Sequence, residues 1–173
     1  MPCQNVHIRI YSVHTPLEGT SLFDSIMYED EKVDGGIRYE KGSDDDVEET
    51  EFFIEGRISQ SDKLYRLRYR EADETGMDDT TTYIQFRLCD PESVSLIREG
   101  GVSSTFLFEK DRRNISSYST PLGPFEICTY TSNIENSLSL SGGRLVLDYR
   151  IEVKGLSLEA NHLEIEVFPQ SDK

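Results

Sequence analysis

Two oppositely charged residues, Glu71 and Arg98, fall in phase with apolar side chains on alternating segments of the chain. In 63–71 the set Tyr65, Leu67 and Tyr69 continues to Glu71, while Arg66, Arg68 and Arg70 take the other face. In 93–99 Val94 and Leu96 lead to Arg98. A charge turned toward an apolar core costs several kcal/mol unless a partner, water or a ligand meets it. Three chemistries follow. The two charges can pair with each other, Arg98 can grip a ligand anion with its planar fork, or Glu71 can serve as an acid or base. Mutual pairing is the simplest of the three.

Other polar residues keep the same phase. Phe125 and Ile127 lead to Thr129 and Thr131, and Leu145, Leu147, Tyr149, Ile151 and Val153 align in 144–153. Thr80 and Thr82 align with Ile84, Phe86 and Leu88. If each apolar phase faces inward, one part of the interior holds Leu67, Ile84, Phe86, Leu96, Ile127 and Leu147. Another part is polar, and its residues Arg98, Glu71, Tyr69, Thr129, Thr131 and Tyr149 are the candidate ligand site.

The elements that must position these groups are strands. Alternation runs through 5–13, with Val6, Ile8 and Ile10 on one face, and Thr15-Pro16-Leu17-Glu18-Gly19 reads as a break. Further strands are expected over 51–59, 63–71, 80–88, 93–99, 102–109, 115–119, 124–132, 144–158 and 161–168. Leu22–Tyr28 is either a short strand or a helical turn. Pro91-Glu92-Ser93-Val94 has the flavour of a helix start, but the Gly100-Gly101 that follows favours a strand. Residues 29–50, rich in acids and glycine, read as a mobile acidic insertion. About nine to eleven short strands with tight connections and no amphipathic helix imply an antiparallel sandwich or barrel. Sequential hairpins suit an up-and-down barrel.

Bulk properties exclude several classes. The 173 residues suit one domain spanning 1–173, with 36% hydrophobic residues and no Trp. Net charge is −15, from 33 acids and 18 bases, which argues against nucleic-acid and anionic-membrane partners. Residues 28–51 alone hold eleven acids and three bases. No secretory signal or membrane-length apolar run is visible, so a cytosolic location is expected. Cys3, Cys89 and Cys128 lack CxxC spacing, so neither a disulfide framework nor a metal site is expected. Asp44-Asp45-Asp46 with Glu48 and Glu49, and Asp73 with Asp78 and Asp79, lack the EF-hand spacing. His7, His14 and His162 are scattered singly and read as surface or rim residues. No cofactor is implied, because no Gly-rich phosphate loop opens a helix.

The ordered segments resemble the YwiB-like family of bacterial proteins of unknown function. Leu67-Arg68-Tyr69-Arg70-Glu71, Val94-Ser95-Leu96-Ile97-Arg98-Glu99-Gly100 and Tyr118-Ser119-Thr120-Pro121-Leu122-Gly123 carry the likeness. Ile127-Cys128-Thr129-Tyr130-Thr131 and Gly143-Arg144-Leu145-Val146-Leu147-Asp148-Tyr149 complete it, over about Glu51 to Val167. The resemblance implies a calycin-like, lipocalin-shaped antiparallel barrel of about eight to ten strands with no established activity. The acidic stretch 29–50 is longer than the resemblance requires. Two functions remain open. One is a non-catalytic barrel that takes a small, partly apolar or anionic ligand in its lumen. The other is a solid barrel that presents 29–50 to a basic protein partner.

Overall fold

Alternating burial along almost every segment makes strands of them, and the strands close on themselves. The computed structural model describes residues 3–19, 39–41, 47–71, 79–154 and 157–170. They form β1 (Cys3–Gly19), β2 (Tyr39–Lys41), β3 (Glu48–Gln60), β4 (Leu64–Arg70), β5 (Thr80–Arg87) and β6 (Asp90–Gly100). Then come β7 (Ser103–Glu109), β8 (Arg113–Thr120), β9 (Gly123–Asn136), β10 (Gly143–Val153) and β11 (Ser157–Pro169). β3 to β11 are successive antiparallel neighbours, and β1 lies between β3 and β11, so ten strands make a closed wall. Among the described residues β2 pairs only with Leu17–Gly19, beyond that wall. No helix of the described residues is long and apolar enough to cross a membrane.

Several expectations are corrected. β1 does not break at Thr15-Pro16; it runs on to Gly19, paired with β11 as far as Pro16–Glu159. Pairing of β1 with β3 stops at His14–Glu48 and that with β2 begins at Leu17, so among the described residues Pro16 has a ladder partner only on the β11 side. As expected, the segment after Asp90-Pro91 is a strand, and it begins earlier than 93, with proline at its second position. The expected strand 144–158 is two, since the chain reverses between Val153 and Ser157, which pair with each other. Leu88 leaves the inward phase and is exposed, because a register shift follows Phe86. Of the expected acidic insertion 29–50, residues 39–41 are β2 and 48–50 open β3. Val47 leads into β3, and the remainder, 29–38 and 42–46, like Leu22–Tyr28, lies outside the described residues.

The barrel is apolar at one end and polar at the other. Val6, Ile8, Ile58, Tyr65, Leu67, Ile84, Leu145, Leu147, Ile165 and Val167 are all at most 2% exposed. Leu138 caps that end from the β9–β10 connection. Leu67, Ile84, Phe86, Leu96, Ile127 and Leu147 are all buried in this core. Gly100, at φ 130°, turns β6 into β7 where a Cβ would strike the carbonyl oxygen of Asp79.

Gly56 sits opposite Tyr69, and a Cβ there would lie 2.5 Å from Ile8 Cδ1 and 2.6 Å from the Arg68 carbonyl oxygen. A backbone atom cannot swing aside as a side chain can. Gly56→Ala is therefore expected to cost about 2 kcal/mol through overpacking, read as a lower urea midpoint with an unchanged m-value. An unchanged midpoint would show that β3 and β4 can part there without penalty.

Candidate functional site

The inward row that crosses β4 to β8 runs Tyr69, Thr82, Arg98, Ser104 and Tyr118, each opposite the next. Glu71 follows Tyr69 just past the end of β4, its backbone N–H donating to the Thr80 carbonyl at 2.9 Å. That bond holds the carboxylate over the row. Thr82 Oγ1 donates to Glu71 Oε1, and Arg98 Nε donates to the same oxygen at 3.5 Å. The Glu71 side chain is 6% exposed and that of Arg98 22%. The guanidinium carbon lies 6.0 Å from the Phe106 ring centroid, within cation–π range. Among the described residues no hydrogen bond runs from Arg98 Nη1 or Nη2.

A second polar row crosses the opposite wall. Glu48, His14, Asn161, Tyr149 and Thr131 are successive cross-strand partners from β3 to β9. His14 Nδ1 lies 2.7 Å from Asn161 Oδ1 and 3.6 Å from Glu159 Oε1. The Glu159 carboxylate raises the His14 pKa above its ordinary value, against the opposing effect of burial, with smaller contributions from Asn161 and Glu48. Burial raises the Tyr149 pKa, while Asn161 and Arg98 work against that rise. Tyr69 rises for the same first reason, with the Glu71 charge adding to it. Both phenols are therefore neutral hydrogen-bonding groups at ordinary pH. Below them Phe108 packs on Tyr149 at 4.7 Å between ring centroids.

Between the two rows lies a cavity of about 480 Å³. Tyr69, Glu71, Arg98 and Tyr149 line it, and so do His14, Asn161 and Glu159. Its apolar wall includes Phe52, Ile54, Phe106, Ile151 and Val153. Thr129 and Thr131, expected in the patch, are buried on the inward phase but do not line the cavity. Their cross-strand partners Ile151 and Tyr149 carry the longer side chains there. Thr129 Oγ1 instead donates to the Asn114 carbonyl at 3.4 Å, and Thr131 Oγ1 has no partner among the described residues. The β1/β11 half of the site was not expected. Its signal was present: Ser12 and His14 extend the phase of Ile8 and Ile10, but the expected strand stopped at residue 13, before His14.

Among the described residues no cluster of three or more His, Cys, Asp or Glu is arranged to hold a metal. Cys128 is buried, and its pKa is pushed up to about 11, chiefly by burial, so it is an inert thiol. The arrangement offers hydrogen bonding and charge on two walls of an apolar chamber. Fold and chamber together define a calycin-like, lipocalin-shaped barrel with a lined lumen.

The chain belongs to the family described as Domain of unknown function (DUF1934), whose model matches residues 36–165. It is similar in structure to the ywiB protein from Bacillus subtilis, at 18% identity and a TM-score of 0.70. The alignment covers 98% of this chain and 94% of that one. That likeness bears on the fold alone and agrees with the YwiB-like resemblance of the ordered segments. No curated protein matches the chain.

Two outcomes follow from the rows. Arg98→Met leaves the Glu71 carboxylate buried without its counter-charge and is expected to cost about 3 kcal/mol. Arg98→Met with Glu71→Leu loses less than the two single changes together, by at least about 1 kcal/mol in a urea double-mutant cycle. Additivity would mean that the two side chains do not support each other. For His14, a folded pKa above the unfolded one means stability complete below about pH 6.5, then lost as pH rises through the folded value. The stability gap between wild type and His14→Gln should thus narrow from pH 5.5 to pH 8.5, and a constant gap would remove Glu159 as its cause.

Proposed function

We propose that the barrel binds a small, partly apolar molecule in its lumen, with a carboxylate or carbonyl of that molecule on Arg98. One observation carries this reading. The cavity of about 480 Å³ sits beside a mostly buried guanidinium whose terminal nitrogens are uncommitted among the described residues. Ligand pockets usually span about 300–1,000 Å³, largely apolar, with a few placed polar groups. Glu71 would act as a positioning residue, because it holds Arg98 through Nε and leaves the fork-shaped end free. Tyr69, Tyr149 and Asn161 would supply neutral hydrogen bonds, and Phe52, Ile54 and Ile151 would take the apolar body. The alternative, a solid barrel that only carries residues 29–50 to a basic partner, is not favoured by a hollow interior.

A fluorescence titration with 1-anilinonaphthalene-8-sulfonate, an aromatic anion, tests the proposal on folded protein. Saturable enhancement is expected for wild type. Arg98→Lys keeps the charge opposite Glu71 but loses the fork, and should weaken binding at least about fivefold. Ile151→Trp fills the chamber and should abolish saturation. No saturable binding by wild type, or equal binding by both variants, would overturn the lumenal site.

A further inference from the structure

The outer face of β4 carries Arg66, Arg68 and Arg70, and Arg57 of β3 joins them, in a chain whose net charge is −15; Glu55 and Glu51 lie further along β3 on the same face. Arg57 and Arg68 stand directly opposite each other in that pair of strands, both exposed. Like charges so placed oppose strand pairing. Neither makes an ion pair among the described residues, and no acid sits across a strand from either. Arg57 faces Asn5 on its other side, and Arg68 faces Tyr83. Arg66 lies two residues before Arg68 and Arg70 two residues after, both exposed on the same face. Arg66 donates to Gln85 Oε1 and covers the Tyr83 ring at 5.3 Å, while Arg70 lies 3.6 Å from the well-exposed Asp79. Among the described residues, four guanidinium groups thus share one patch with one ion pair among them. The apposition of Arg57 and Arg68 itself opposes folding, whereas Arg66 and Arg70 each have a contact within the chain.

We propose that this face docks an acidic, extended segment of a protein partner, with carboxylates at every second residue meeting Arg66, Arg68 and Arg70, and Arg57 beside the central one. The arginines repeat about 7 Å apart along β4, the spacing of alternate side chains in an extended peptide. In a closed wall β4 has no free edge, so recognition runs through side chains and not through strand addition. A nucleic acid fits less well. The Tyr83 ring beside the ladder is already covered by Arg66, and the exposed Phe53 lies four residues from Arg57 along β3, with Glu55 between them. The acidic chain also repels a long polyanion, whereas a short segment senses only charges within about 10 Å at 0.1 M salt.

The test uses fluorescence anisotropy with two labelled octapeptides of equal composition. One alternates glutamate and serine along its length; the other is blocked, with all its glutamates first and all its serines after. Saturable binding of the alternating peptide is expected, weaker for the blocked one and weakening as salt rises. Arg68→Glu converts the repulsive pair into an attractive one, so its Tm should hold or rise while affinity falls at least about tenfold. Loss of binding with retained or raised Tm cannot come from misfolding. The proposal is overturned by no saturable binding at low salt, by equal binding of the two peptides, or by an Arg68→Glu protein that binds as wild type does. Tighter binding of an oligouridine of the same length than of the alternating peptide would also overturn it and assign the face to nucleic acid.

Discussion

Closure of the sheet by β1 is the constraint on which everything else in this barrel rests. β1 is the first strand in sequence, yet it pairs with β3 on one side and β11 on the other. Val6, Ile8 and Ile10 of β1 turn into the core or pack against it. On the outer face Arg9 spans the seam, with Nη2 2.8 Å from Glu51 of β3 and Nη1 2.9 Å from Glu166 of β11. An open sheet of these strands would expose two long edges with unpaired backbone groups. Closure removes both edges and creates an inside, so a side chain on the inward phase must face either packed core or chamber.

Which of the two it faces depends on its height along the barrel axis. At the end capped by Leu138 the inward residues are large and apolar and fill the space. At the other end the same phases carry Tyr69, Glu71, Arg98, His14 and Asn161, and the space between them stays open. Polar groups that already satisfy one another across neighbouring strands do not need to collapse inward. Thr82 and Arg98 hold Glu71, and Asn161 engages both His14 and Tyr149. The chamber therefore persists where the hydrophobic drive to fill it is weakest.

Much of this was legible in the chain because the side-chain period of a strand is two. Leu67, Tyr69, Leu96, Ile127 and Leu147 could be assigned to the inward face from alternation alone, as could Glu71 and Arg98. The errors share a cause. Alternation reports the face of a residue but not its neighbours. Thr129 and Thr131 are inward, as their phase requires, yet it is their longer cross-strand partners Ile151 and Tyr149 that line the chamber. Pro16 reads as a break in isolation, but it is tolerated because β3 has ended beside it. That apparent break ended the expected strand at residue 13, one short of His14, and the Glu159 and Asn161 that face it come from β11.

The sequence by itself determined that the protein is all-β, that its connections are mainly hairpins, and that two opposite charges face inward. These are local properties, set by the two-residue period and by turn chemistry. Only the tertiary structure decided that ten strands close, because closure depends on β1 meeting β11 across nearly the whole chain. It also decided that the Glu71–Arg98 pair faces His14, Glu159 and Asn161 across an open chamber, and that Arg57 stands opposite Arg68. Both relations depend on strand register between segments whose patterns do not refer to each other.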